Sequence, residues 1–150
     1  MSFHRARVDT IRAIIAGSPS LSAHHSFAAI SNELEEVKSL MHVGLVRRRY
    51  LLAVLHATRA LDVALKTFVA VLGLHHSPST SLGKSLRYIE LSAPTVLGSA
   101  FAMRQRFQAS IVASRNRYMH EAGAFPASDY EIRMLLAEME HCLAVVLALE

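Results

Sequence analysis

The sequence predicts an all-α protein, and two features carry that prediction. Of its 150 residues 52% are hydrophobic but only 7% are aromatic, with no Trp and many Ala and Leu. Ala and Leu lose little entropy in a helix, whereas strands favour β-branched and aromatic side chains. Apolar residues also recur at helical spacing. We therefore expect an up-and-down bundle of four to five main helices plus a short one, forming a single domain over residues 1–150 with its core in roughly 30–150.

The first predicted helix covers residues 3–16, whose apolar side chains recur at intervals of three and four. The stretch from Gly17 to Ser20 contains a Gly and a Pro and ends this helix. The next helix is expected to start at Ser31 or Asn32, because either side chain can accept a hydrogen bond from an unpaired backbone N–H of the first turn.

From that start to Leu74 the chain has no proline, so helix can continue with few breaks. We expect a kink or turn in the stretch Gly44–Arg49 to divide it into two helices. The part 51–74 is the most apolar of the chain, but it carries His56, Arg59, Asp62 and Lys66 at intervals of three or four. Such charges would be costly in the middle of a bilayer. The pattern therefore predicts a buried helix with one polar stripe and no membrane span.

The second half begins with a loop rich in His, Ser and Pro, after which a short helix is predicted at 83–91. Pro94 suits the first turn of a longer helix that continues to about Met119. A loop at 121–127 follows it. Ser128 to Glu131 has the capping-box pattern and is expected to open the last helix.

Charge and cysteine content narrow the class of partners. The formal net charge is +4 and the sequence pI is near 9.6, which permits a polyanionic partner without requiring one. The single cysteine, Cys142, excludes an internal disulfide and suits a reducing compartment. Residues 1–17 lack the uninterrupted apolar segment of a secretory signal. We therefore expect a cytoplasmic protein.

The segment 115–120, Arg-Asn-Arg-Tyr-Met-His, carries the residues best suited to chemistry. Asn116 and His120 are four apart and share a helix face, whereas Arg115 lies about 140° from His120. The long side chain of Arg115, or a helix that ends near His120, would still bring the two together. Taken alone, the spacing also fits a solvated helix end with a cation near the C-terminal dipole.

These residue types suit metal-free cleavage of RNA by its own 2′-hydroxyl. An imidazole moves protons near neutral pH, so His120 would act as general base or acid. A guanidinium binds a phosphate through two parallel hydrogen bonds, so Arg115 would stabilise the charge on the phosphorus centre. Asn116 would orient one of them.

The same segment resembles the HEPN superfamily, the higher-eukaryote and prokaryote nucleotide-binding helical bundles. In that family an Arg and a polar residue precede a His at the end of the third core helix, and Arg115, Asn116 and His120 match this pattern. Residues 80–86 resemble the Thr-Leu-Gly turn that often precedes that helix. The resemblance covers roughly 30–150.

The resemblance implies a homodimer in which two Arg/His sets meet in a shared cleft that cuts single-stranded RNA, with no cofactor or metal. Such proteins act in toxin–antitoxin, abortive-infection or other antiviral systems, with an antitoxin or regulatory protein as partner. It also implies that Asp62 faces the site and orients His120 or Arg115, although a pairing of Asp62 with Arg59 or Lys66 is the alternative. Ala122 stands where the branch paired with a nucleotidyltransferase antitoxin has a Tyr.

Two further groups of basic residues are candidates for RNA binding. The run Arg47, Arg48 and Arg49 would contact an RNA backbone, or else form a solvated bend or bind an acidic partner. Arg104 is eleven residues before Arg115, three helical turns away on the same face, and would extend the cleft. A surface salt bridge is the alternative for Arg104.

The remaining motifs do not point to a metal or a nucleotide loop. The pairs His24-His25 and His75-His76 lack the Cys or carboxylate spacing of a metal site. A phosphate-binding loop ending at Ser85 would need Gly at 78, which is Pro. The alternative function is a HEPN-like bundle that binds RNA, a nucleotide or a protein partner without cutting.

Overall fold

In the computed structural model, residues 3–40, 46–74, 81–93 and 101–150 are described, and all regular structure in these ranges is helical. The predicted all-α helical bundle is therefore confirmed. The elements are α1 (Phe3–Ala16), α2 (Pro19–Ser22), α3 (Phe27–Ser39), α4 (Val46–Val71), α5 (Leu82–Ser92), α6 (Phe101–Phe107), a π-helical segment (Gln108–Val112), α7 (Ala113–His120) and α8 (Asp129–Leu147).

The start of α3 differs from the sequence prediction. Ser31 and Asn32 lie inside the helix, which begins at Phe27, so the predicted cap at these positions is wrong. The apolar face of α3 already begins at Phe27, ahead of the fully buried Ile30. The hydroxyl of Ser26 also lies 2.8 Å from the Thr67 hydroxyl of α4 and fixes the chain just before the helix.

The polar stripe of α4 is satisfied by neighbouring charges. α3 ends at Ser39 and α4 begins at Val46, so the long segment is divided into two helices as predicted. Residues 44 and 45 of the predicted turn lie outside the described ranges, and residues 46–49 already belong to α4. Glu33 of α3 accepts from both His56, at 2.6 Å, and Arg59, at 2.9 Å. Within the described ranges, no helix has the length and apolar character needed to cross a membrane.

Of the three helix starts predicted for the second half, those of α5 and α8 lie in the described ranges and are confirmed. α5 begins at Leu82 behind Ser81, whose hydroxyl accepts from a backbone N–H of the first turn. Ser128 occupies the N-cap position of α8, but its side chain makes no capping hydrogen bond. The predicted capping box is therefore not formed, because the carboxylate of Glu131 is bonded to the Tyr118 hydroxyl instead. The helix start predicted at Pro94 lies outside the described residues.

The core extends beyond residues 30–150, because α1 belongs to it. Val8, Ile11 and Ile15 are at most 2% exposed and pack with the side chains of the central cluster. α1 packs against α8 and α3. An ion pair of 2.6 Å between Arg7 of α1 and Glu140 of α8 closes the edge of this contact.

If α1 is part of the cooperative core, truncating its buried face must destabilise the whole protein. We expect Ile11→Ala to lower the free energy of unfolding by about 2–5 kcal/mol, the usual cost of removing a buried aliphatic side chain. Urea denaturation followed by circular dichroism measures it. The exposed Arg5→Ala on the same helix is the control and should change stability by less than about 0.5 kcal/mol. Equal stability of both variants would contradict this.

Candidate functional site

α7 remains a regular α-helix through His120, and Glu121 follows it in extended backbone. Arg115 and His120 therefore leave the helix about 140° apart and about 7.5 Å apart along its axis. Among the described residues, no contact joins their side chains. The helix end does not bring the two together within one chain. Asn116 is the residue that Arg115 does contact, because the Arg115 guanidinium donates to the Asn116 side-chain oxygen at 3.1 Å.

The three motif residues are accessible at the end of α7. Asn116 and His120 are exposed and Arg115 is half-buried. In the described part of the chain, no hydrogen bond or ion pair engages the imidazole of His120. A ligand that approaches this helix end therefore meets an imidazole and a guanidinium that no carboxylate of the described residues pairs with.

Tyr118 fixes the same helix end from the other side. Its hydroxyl donates to Glu131 of α8 at 2.5 Å, and burial together with this hydrogen bond raises the pKa of Tyr118 to about 12. Tyr118 precedes His120 by two residues, which places it about 200° away around the helix. The anchor therefore leaves the face of Asn116 and His120 open.

The π-helical segment changes which residues share a face. Each i→i+5 turn takes in one residue more than an α-turn, so the residues after it are rotated by about 100° relative to an unbroken α-helix. The prediction that Arg104 shares a face with Arg115 assumed an unbroken helix and is therefore wrong. Arg104 forms an ion pair with Glu90 of α5, and its side chain is only 17% exposed. The alternative of a salt bridge is what the structure contains for Arg104.

α6, the π-helical segment and α7 together form one penultimate helix. A buried carboxylate, Glu138 of α8, holds the first part of this helix. Arg106 donates to both of its oxygens, with 2.9 Å between Arg106 Nε and Glu138 Oε2, and Ser110 donates to it at 3.0 Å. The bond from Arg106 lowers the pKa of Glu138 although burial opposes this, and the same bond raises the pKa of Arg106. Periodicity within the helix gave no signal for this cluster.

These contacts line an open groove of about 490 Å³ between the penultimate helix and α8. Arg117 reaches it from α7, and Met134 from α8. The groove lies on the Tyr118 side of α7, away from His120. It is therefore distinct from the face that carries Asn116 and His120.

Asp62, the expected orienting carboxylate, is bonded elsewhere. Its Oδ2 accepts from Lys66 at 2.7 Å, one turn further along α4. No bond from Asp62 to His120 or Arg115 occurs in the described ranges. The pairing with Lys66, the alternative considered for Asp62, is present.

The arginine run opens α4 and contacts the loop that follows the motif. The guanidinium of Arg47 lies 3.9 Å from the centre of the Phe125 ring, a cation–π distance. Arg48 is exposed, and Arg49 lies against Tyr50, 5.6 Å from its ring centre. Sequence reasoning missed Phe125, whose signal was an aromatic residue in the Gly- and Pro-containing loop directly after the motif.

The loop after His120 makes a tight turn. The backbone N–H of Ala124 donates to the carbonyl of Glu121 at 3.1 Å, and Gly123 has a φ of +81°, which side chains other than Gly rarely adopt. Ala122, at the position of the absent tyrosine, is exposed in this turn.

In the ranges that the structure describes, no three His, Cys, Asp or Glu side chains are grouped to hold a metal ion. His24 is bonded to Ser26 through Nδ1 at 2.8 Å, while His75 and His76 lie outside these ranges. Comparisons of the chain with family models, with curated proteins and with solved structures found no match.

The lowered pKa of Glu138 makes stability depend on pH in the acid range. A carboxyl with a lowered folded-state pKa stabilises the fold above its ordinary value of about 4.3, and this contribution is lost as the pH falls through the folded-state pKa. We expect the free energy of unfolding to decrease below about pH 4.3, and Glu138→Gln to reduce that decrease. Urea denaturation between about pH 2.5 and about pH 7, a range that spans the titration of carboxyl groups, measures the decrease in both proteins.

The matched control is Glu36→Gln, which changes an exposed carboxyl of α3. It should keep the wild-type pH dependence. An unchanged acid slope in Glu138→Gln would show that the bond to Arg106 does not stabilise the ionised carboxyl.

Proposed function

We propose that the protein is a metal-independent endoribonuclease that cuts single-stranded RNA at a site made of His120 and Arg115. The observation that carries the proposal is an accessible imidazole and guanidinium on the last two turns of α7, a helix end that Tyr118 and Glu131 hold in place from behind. The resemblance to the HEPN superfamily supports the same function. We further propose that the protein acts in a toxin or antiviral system in the cytoplasm, restrained by an antitoxin or regulatory protein.

The chemistry needs only groups present on the chain and the RNA. His120 takes the proton of the 2′-hydroxyl, and the 2′-oxygen attacks the adjacent phosphorus. Arg115 donates to the non-bridging oxygens, on which negative charge accumulates. The bond from phosphorus to the 5′-oxygen breaks, and that oxygen receives a proton from an imidazolium. The products carry a 2′,3′-cyclic phosphate and a 5′-hydroxyl, and neither water nor a metal is consumed.

Asn116 acts as a positioning residue for Arg115. Its side-chain oxygen accepts from the guanidinium at 3.1 Å, which restricts the arginine on an otherwise open surface. The amide also remains on the face of His120, one helical turn away. Of the two groups that Asn116 could orient, the hydrogen bond favours Arg115.

We infer that two copies of the chain complete the site. Side chains about 140° apart on one helix do not converge on a single phosphate. In a homodimer that packs the two α7 ends together, Arg115 of one copy would face His120 of the other. The face of α7 that carries Asn116 and His120 is open to such a partner, since the Tyr118 contact occupies the other side of the helix.

The first test is cleavage of a labelled single-stranded RNA in excess EDTA. We expect the wild type to cut, and His120→Ala and Arg115→Ala to lose at least about 100-fold in rate, the usual worth of a positioned acid or base. Arg12→Ala is the matched control, because it removes the same charge from an arginine of α1 that is paired with Glu35. The products should carry cyclic phosphate ends.

Retained cleavage in both motif variants would overturn the assignment of the site. Cleavage that EDTA abolishes would overturn the metal-free mechanism. RNA binding without cleavage, by folded wild-type protein, would favour the alternative of a binding module.

A mixing experiment tests the shared site. A mixed dimer contains one Arg115→Ala subunit and one His120→Ala subunit. If the Arg and the His of a site come from different copies, such a dimer keeps one site in which both residues are intact. After subunit exchange at equal concentrations we expect about one quarter of the wild-type activity, since half of the dimers are mixed and each has one of two sites. If each site lies within one chain, the mixture stays as inactive as its components.

A further inference from the structure

An open hollow of about 500 Å³ lies at the first turns of α4. Val46, Leu51 and Leu52 line it together with Arg47 and Arg48. Its wall is aliphatic, because arginine stems cover apolar surface while the guanidinium groups stay in water. Val46 is 48% exposed, so this apolar wall is open to solvent.

The arginines of the hollow differ from the other basic residues of α4. Arg59 and Lys66 are paired with Glu33 and Asp62 on the exposed stripe of the same helix. For Arg47 and Arg48 no carboxylate partner occurs in the described ranges. Two uncompensated positive charges at the rim of an apolar hollow match a ligand that is flat and apolar in one part and anionic in another.

An aromatic ring also restricts Arg47. Its guanidinium carbon lies over the Phe125 ring, 3.9 Å from the ring centre. Phe125 is positioned by the turn at Glu121–Ala124, in which Gly123 has positive φ. A guanidinium fixed in this way offers its second face to a base or its edge to a phosphate with less loss of entropy.

The hollow is close to the candidate catalytic helix end. A four-residue turn keeps its end Cα atoms within 7 Å, so the Cα atoms of His120 and Phe125 are at most about 15 Å apart. Val54 of α4 and Tyr118 of α7 line the same groove. The first half of α4 thus runs beside the last turns of α7, and an extended RNA strand that reaches His120 can also reach the hollow.

We propose that this hollow binds one unpaired base of the single-stranded RNA substrate, with Arg47 and Arg48 holding the neighbouring phosphates. The proposal rests on the nuclease function proposed above and adds the subsite that sets the register of the strand. Unpaired bases bind by stacking on aromatic rings or guanidinium planes and by apolar contact, while arginines contact the backbone. Because α4, which carries the hollow, packs against α7, which carries His120, the bound base would lie a constant number of nucleotides from the cut.

The binding test uses a short labelled RNA in EDTA with every protein in the His120→Ala background, so that the strand stays intact. We expect Phe125→Leu and Leu51→Glu to weaken binding roughly 5- to 100-fold, the worth of one stacked base. Arg47→Ala should also reduce the salt dependence by about 0.7 in the logarithmic slope, equivalent to one phosphate. Arg59→Ala, with the same charge change on the same helix, should stay within about twofold because Glu33 already compensates it.

The register test measures cleavage by the protein without substitutions. One abasic nucleotide is moved along an RNA with a single cleavage site. We expect a loss of cleavage at one fixed distance from the cut, and Phe125→Leu should remove this sensitivity. A flat profile, with cleavage intact and affinity unchanged in the hollow variants, would overturn the subsite and leave the nuclease function standing.

Two other outcomes separate the proposals. Binding that depends on the hollow, without cleavage by the wild type, would support the subsite and overturn the nuclease. If the substitutions in the hollow weaken the binding of a fully abasic strand as much as that of the intact strand, the hollow does not bind a base and the proposal fails.

Discussion

The bidentate ion pair between Arg106 and Glu138 holds the penultimate helix against α8, and the position of the candidate site depends on it. Glu138 is nearly buried, and such a carboxylate is tolerated only with hydrogen-bond partners for its oxygens. Arg106 and Ser110 supply them from the two sides of the α6 end. Further along, Tyr118 donates to Glu131 of the same partner helix. The helix that carries the motif is thus attached to α8 at two levels.

This attachment explains how an exposed site can still be well positioned. Catalytic groups need supporting residues that hold them within about 0.5 Å of the productive geometry, and helices position them better than loops. On α7 the Tyr118 contact lies opposite Asn116 and His120, while Arg115 is about 60° from Tyr118 around the helix. Asn116 extends the support to the guanidinium of Arg115. The imidazole of His120 has no comparable orienting group in the described chain, which is consistent with a site that a second copy completes.

α4 combines a structural role with the proposed RNA contacts. Its central turns are buried, and its polar stripe is compensated by Glu33 and by an internal pair of Asp62 and Lys66. The arginines of its first turn are the exception, since Arg47 lies on an aromatic ring and not on a carboxylate. Ionic pairing therefore divides the basic residues of one helix into those that are paired with a carboxylate and those without such a partner in the described ranges.

Composition and local periodicity by themselves determined the helical class and the approximate helices, because these depend on neighbours three or four positions apart. The motif residues were proposed from their side-chain chemistry and from a family resemblance. The helix start at Phe27 differs from the prediction, and there Ser26 meets Thr67 of α4. The start of α8 at Asp129 agrees with the sequence, although a tertiary bond from Tyr118 to Glu131 takes the place of the predicted capping box. The π-helical segment had no local signal, and it moved Arg104 away from the motif.

Partners far apart in the chain were decided only by packing. The pairs that redefined the candidate site are Arg104–Glu90, Arg106–Glu138 and Arg47–Phe125. Which carboxylate or ring an arginine meets depends on how the helices pack against one another, and helical periodicity carries no information about that. The sequence could therefore indicate which side chains at the end of α7 are suited to chemistry. Only the tertiary structure determined which arginines are paired with a carboxylate and which are not.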